Sequence, residues 1–263
     1  MGILSILSYG TLIFIGLSSY KYLPFVYFLR FYRLPLKYLY LQKPKDVIVD
    51  KVFLQKFSES FSEFEVFKKT KRSTYCSILE CDMYFHKTNS SYFIEMDLAR
   101  SELFSKNFKQ YFWYYQDLKS NNGGNVDKKD DDNNKQKDQK RKFSTKNGGL
   151  LHWPYVALGT VSTSFLKEIK PFEKYYTESR VLTWDSKWFY ILTVFKLTNS
   201  DRVVAIGVAK LVFKDGRKTI PPQEILEICN LLNDKVEKIR LNNLKFVNNY
   251  TDQSVLTEID FGI

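Results

Sequence analysis

The sequence predicts an α+β fold in which an antiparallel sheet curves around one helix, carried behind an apolar amino-terminal segment. Three observations predict it. Four stretches after residue 150, namely 157–169, 172–184, 187–197 and 202–213, are rich in Val, Ile, Thr, Phe and Tyr, the residues that fit a pleated, half-buried surface. Short turn signals separate them (Lys170-Pro171, Asp185-Ser186 and Asn199-Ser200-Asp201). Connections this short imply an antiparallel meander, because parallel strands need long crossovers. Before them, a helix from Asn89 to about Ser105 places Tyr92, Met96, Ala99 and Leu103 on one face, with Asn89 or Ser90 as its cap.

The remaining elements follow in chain order. Gly2 to Tyr20 is nineteen residues without a charged side chain, about the length that spans a bilayer core. The bases follow this segment, so the positive-inside tendency places the body of the protein in the cytosol. Arg30, Arg33 and Lys37 fall at helical spacing, as on a helix lying in the interface. The rival reading, a cleaved signal peptide, wants a basic leader that is missing here. Residues 73–80 form an earlier strand. Pro221-Pro222 opens a second helix, with Ile225, Ile228, Cys229, Leu232, Val236 and Ile239 in helical period. Residues 119–149 are polar, mixed in charge and nearly free of apolar side chains, and read as a disordered insert. The chain therefore divides into an anchor with its basic flank (1–45), one folded domain (46–250) interrupted by the insert, and a tail (251–263).

Charge and cysteine content exclude several classes. The formal charge is +11, yet residues 1–45 contribute six bases and no acid, and the insert region most of the rest. Duplex binding needs that charge clustered on the folded domain, so no nucleic-acid partner is expected. Three cysteines are no disulfide framework. Cys76, Cys81 and His86 lack the close Cys pair and fourth ligand of a zinc site. Neither a metal nor a cofactor is expected, and no nucleophile elbow, phosphate loop or HExxH motif occurs.

One constellation remains. Glu80-Cys-Asp82, His86, Asn89 and Tyr92, followed by Ala99-Arg100, stand in the order and spacing of a known pattern, D-x-D-x-x-x-H-x-N-N-x-x-Y with a later A-R pair. On these residues the chain resembles the hot-dog thioesterases of the 4-hydroxybenzoyl-CoA thioesterase type. Pro171-Phe172, the run from Trp184 to Tyr190, and Pro221-Pro222-Gln-Glu224 are similar to its membrane-associated branch, which contains thioesterase superfamily member six and related fungal thioesterase-like proteins. Glu80 and Thr88 depart from the pattern. The resemblance implies a hot-dog fold, a homodimer, an acyl-CoA or other acyl thioester substrate, and an endoplasmic-reticulum membrane. It also implies that Asp82 is the catalytic carboxylate.

The residues carry their own reading beside it. A carboxylate just before a helix start can activate water or attack a thioester carbonyl. Unpaired N–H groups in the first helical turn, around Asn89, Ser90 and Ser91, can polarise the carbonyl oxygen. Against this, Asp82 also suits a turn carboxylate, His86 a loop-ordering hydrogen bond and Asn89 an N-cap. Tyr92 and the run Tyr111 to Tyr115 suit either the core or a tunnel for a lipid tail. The competing class is a non-catalytic hot-dog module that binds lipid or protein at a membrane. A thioester dehydratase or isomerase on the same fold is a third.

Overall fold

The computed structural model describes residues 3–45, 47–123 and 153–247. The β-rich stretches form β2 (Tyr155–Phe165), β3 (Lys174–Trp184), β4 (Phe189–Leu197) and β5 (Val203–Asp215), preceded by β1 (Thr70–Tyr75) and followed by the short β6 (Lys218–Ile220). All pair antiparallel, in the order β1-β3-β4-β5-β2, with β6 also on β5. The meander expected over all four later strands therefore holds only for β3 to β5. β2 lies at the far edge against β5, with Val161 opposite Ala209. The eight residues from Leu166 to Glu173 carry the chain across the sheet's end, a crossing that turn residues alone do not reveal.

Alternation along β4 buries Phe189, Ile191, Phe195 and Leu197. On that face lies α4 (Asn89–Asn107), whose Leu103 and Phe104 pack on the sheet. The Phe104 ring meets Phe189 at 5.9 Å and Phe213 at 5.1 Å, distances typical of edge-to-face aromatic pairs. Phe108 continues the layer into a further helix, Lys109–Gly123, which brings Tyr111 and Phe112 onto Phe213. The aromatic run from Tyr111 to Tyr115 is thus largely core. Lys119 to Gly123, assigned from composition to the insert, continues this helix. The rest of the insert, 124–149, and the tail 251–263 lie outside the described residues.

One helical expectation is corrected. The helix opened by Pro222 stops at Ile228, and a separate helix runs from Asp234 to Val247. Asn230 between them adopts a left-handed φ of 52°, a conformation Asn tolerates at helix ends. Asn233 then caps the next helix by accepting the Val236 N–H.

The amino-terminal expectation changes most. The apolar stretch forms a helix over Ile3–Ser18. Sixteen residues rise about 24 Å, short of a bilayer core of about 30 Å. Among the described residues no helix is long and apolar enough to cross a membrane, so the transmembrane helix is not found. Ser19 is buried, and its hydroxyl accepts the Leu79 N–H. A second helix, Val26–Pro35, then lies along α4. Its Arg30 is not directed to lipid headgroups but reaches Glu95 of α4 at 2.7 Å. Lys21 and Lys43 likewise pair within the protein, with Glu80 and Asp117.

Candidate active site

The segment between β1 and α4 is a tight excursion built from its own sequence. Ser77 and Glu80 form a reciprocal capping box around a single helical turn, Ile78–Glu80. The chain then doubles back. The Asp82 N–H donates to the His86 carbonyl (3.0 Å), and the Phe85 N–H donates to the Asp82 carbonyl (3.1 Å). Cys81 bridges Lys87, and the Thr88 N–H donates to the Glu80 carbonyl at 2.7 Å. The reversal uses Phe85 at a φ of 56°, a strained position for a bulky residue. Met83, Tyr84 and Phe85 project from the tip, between 73% and 81% exposed.

This turn brings Asp82 and His86 together. One Asp82 oxygen, Oδ1, accepts the Tyr84 N–H at 2.9 Å. The other, Oδ2, lies 3.4 Å from His86 Nδ1, and both side chains are about one-third exposed. The His86 ring stacks on Tyr84 with centroids 5.8 Å apart. Asp82 therefore serves as turn carboxylate through one oxygen, while the second faces an imidazole and solvent. His86 orders the turn through its carbonyl, and its ring lies beside the carboxylate.

The helix start is placed differently from its expected cap. Thr88 is the N-cap of α4, without a side-chain cap bond, and Asn89 and Ser90 are exposed first-turn residues. The Ser91 N–H and hydroxyl both donate to the Thr88 carbonyl (3.0 and 2.7 Å). That leaves Asn89 and Ser90 as the first-turn N–H groups with no intrahelical acceptor. Tyr92 is buried between Phe165 and Phe195, with ring centroids 5.1 and 5.0 Å away. Burial pushes its phenol well above the usual range. It is a core residue. A cavity of about 610 Å³ lies elsewhere, lined by Tyr111, Tyr115, Asp215 and Glu224, and reaches none of the predicted site residues.

Beneath the turn lies a charge cluster that sequence reasoning missed. Glu80 is fully buried, accepts the Ser77 N–H (2.7 Å) and Lys87 Nζ (2.5 Å), and is ion-paired with Lys21 Nζ at 2.6 Å. Glu95, also fully buried, faces Arg30 at 2.7 Å, with Lys21 and Arg72 each at 3.8 Å. Burial alone would raise its carboxyl, but Arg30 and then Lys21 outweigh this and hold it below the usual carboxylate range. Burial lowers the Lys87 ammonium against the opposing pull of Glu80. One signal was available: Glu95 interrupts the apolar face of α4, and a buried carboxylate demands a partner. Cys76 and Cys81 lie 3.6 Å apart, Sγ to Sγ, both thiols pushed up by burial. Among the described residues no group of His, Cys, Asp or Glu could hold a metal ion.

Comparison with known proteins shows the family of the chain. The model of the thioesterase-like superfamily matches residues 76–229. A probable thioesterase of Saccharomyces cerevisiae is 38% identical over 231 residues, 88% of this chain and 84% of its own length. A probable thioesterase of Emericella nidulans is 32% identical over 179 residues, 60% of this chain and 53% of that protein, so the match spans about half of that relative. Among solved structures, a probable thioesterase of Escherichia coli aligns with 61% of this chain and 96% of its own. Its sequence identity is 13% and the TM-score 0.43.

Proposed function

Because the chain belongs to the thioesterase-like superfamily, a hot-dog family of acyl thioester hydrolases, we propose that Asp82 is the catalytic carboxylate acting on an acyl-CoA. The observation that carries this is the second Asp82 oxygen, part-exposed and 3.4 Å from His86, immediately before the start of α4. In the hydrolytic step Asp82 takes a proton from water as the water oxygen bonds to the thioester carbonyl carbon. The N–H groups of Asn89 and Ser90 stabilise the negative charge that develops on the carbonyl oxygen. The C–S bond then breaks, the proton passes to the leaving thiolate, and free acid and CoA depart. His86 keeps the carboxylate oriented.

Asp82→Asn preserves an acceptor for Tyr84 and removes the base. It is expected to lower kcat by about 10²- to 10⁴-fold in an assay of free CoA release across short, medium and long acyl chains, with the melting temperature unchanged. If the wild type is no faster than this variant on every chain length, the hydrolase reading is lost. A second reading, a non-catalytic binding module, is favoured by the Tyr84 N–H held by Asp82 Oδ1.

The family reading also supports a homodimer. β2 offers eleven residues of edge strand with Tyr155, Leu158 and Phe165 exposed, an open template for pairing. Attachment to a membrane surface, with the domain on the cytosolic side, is supported by the exposed Leu12, Ile13 and Leu17 of the first helix and by Phe25, Phe28 and Leu29 around the second. Exposed Arg33 and Lys37 accompany them, as on an interfacial helix facing anionic lipid.

A further inference from the structure

We propose that Lys21 is a positioning residue for Asp82, acting through Glu80 to fix the base of the turn that carries the catalytic carboxylate. The inference rests on the reading of Asp82 as that carboxylate. Lys21 lies just past the apolar helix, 53 residues before the nearest β1 side chain it contacts, yet its side chain is only 1% exposed. Its ammonium forms an ion pair with Glu80 Oε2 (2.6 Å) and donates to Thr74 Oγ1 (3.2 Å) and the Tyr75 carbonyl. It also faces the Tyr75 ring at 4.8 Å. Arg30, the other base of this segment that reaches the buried carboxylates, keeps 12% side-chain exposure.

Glu80 is two residues from Asp82, and its carboxylate is shared between cations from opposite directions. Lys87 closes the turn from its far strand at Oε1, while Lys21 holds Oε2 from outside the turn. The Glu80 carbonyl meanwhile takes the Thr88 N–H, where α4 begins. Asp82, His86 and the first-turn N–H groups are thus all hung from one residue, Glu80. Lys87 alone leaves Oε2 with only the Ser77 N–H and lets the buried carboxylate rotate toward a single cation. A displacement of the reacting group by about 1 Å can cost about 10²-fold in rate. Lys21 is therefore the part of the site contributed by the amino-terminal segment.

The test compares wild type, Lys21→Met, Lys21→Gln, Glu80→Gln and the Lys21→Met/Glu80→Gln double variant, all in the full chain. Each is assayed on the acyl-CoA that the wild type cleaves fastest, with amide hydrogen exchange measured alongside. Lys21→Met is expected to lower kcat by about 10²-fold with KM changed less than about threefold. The Asp82 and Phe85 amides, which hold the turn, should exchange at least about tenfold faster. The double variant should be no slower than Glu80→Gln alone, since one acts through the other. A folded Lys21→Met or Lys21→Gln with wild-type kcat and unchanged exchange at these amides overturns the proposal. So does independent, additive loss in the double variant. If neither charge-removing variant folds, Lys21 is a folding residue and the proposal is again overturned. Failure of the hydrolase reading shows separately, as a wild type no faster than Asp82→Asn while the exchange difference persists.

Discussion

Replacing Glu95 by Gln tests whether the amino-terminal helices are held to the domain by buried charge. The carboxylate lies 2.7 Å from Arg30 and 3.8 Å from both Lys21 and Arg72, with no exposure of its own. At an effective dielectric of about 20 these separations correspond to gross attractions of roughly 6 kcal/mol for Arg30 and about 4 kcal/mol for each of the others. Desolvation offsets much of this. Removing one member of such a cluster leaves its partners buried and uncompensated, which costs about 3–5 kcal/mol. For a domain of this size that is a fall in Tm of about 6–20 °C. The glutamine keeps size and one acceptor, so a cavity does not account for the loss. The pH dependence supplies an independent signature. The folded-state carboxyl is depressed below its unfolded value, so its contribution is complete above about pH 4.3. It disappears as pH falls through the lower folded pKa. Thermal melts of wild type and Glu95→Gln should therefore be far apart at pH 7 and converge only at acid pH. A difference below about 1 kcal/mol at pH 7, or one that does not shrink under acid conditions, refutes the buried-pair account.

Two further predictions concern surfaces. Leu29→Glu places a charge on an exposed position of the second helix and should weaken cosedimentation with vesicles containing anionic phosphatidylserine at least about tenfold, without changing hydrolysis of a short-chain substrate; equal binding by the two proteins would remove the membrane-surface proposal. Sedimentation equilibrium of the purified full chain in detergent-free buffer should give twice the 31.2 kDa chain mass, and a chain that stays monomeric at micromolar concentration would show that β2 does not pair with a second copy.

Legibility in the sequence followed the range of the interactions. β3, β4 and β5 could be read because local alternation and adjacent turns specify each hairpin, as in the register of Val181 with Ile191. The passage of β2 to the far edge could not, since eight residues between Phe165 and Lys174 permit either neighbour. Asp82 and His86 stand four residues apart, and the turn between them is local, so their meeting was legible from spacing. Tyr92 could be read as core from its place on the α4 face. Lys21 and Arg30 were misread for a definite reason. A base that follows an apolar run looks like a membrane flank until its partner is known, and Glu80 and Glu95 come 59 and 65 residues later. Cumulative charge located the excess correctly at the amino terminus, but charge totals do not distinguish a solvated cation from a buried, paired one.

The distance between those partners has a consequence during synthesis. The first two helices leave the ribosome with their apolar faces and their cations before Glu95 exists. At about 5–20 residues per second, the 65 residues from Arg30 to Glu95 take about 3–13 s to make. During that interval the segment has apolar surface, positive charge and no internal partner, the properties recognised by any acceptor of nascent hydrophobic chains. Glu80 in the turn before α4 and then Glu95 on α4 end the interval by offering buried carboxylates to Lys21 and Arg30. Whether the segment reaches a lipid surface or folds back onto its own domain first is then a race set by translation speed. Slow codons between residues 30 and 95 would lengthen it in favour of the surface.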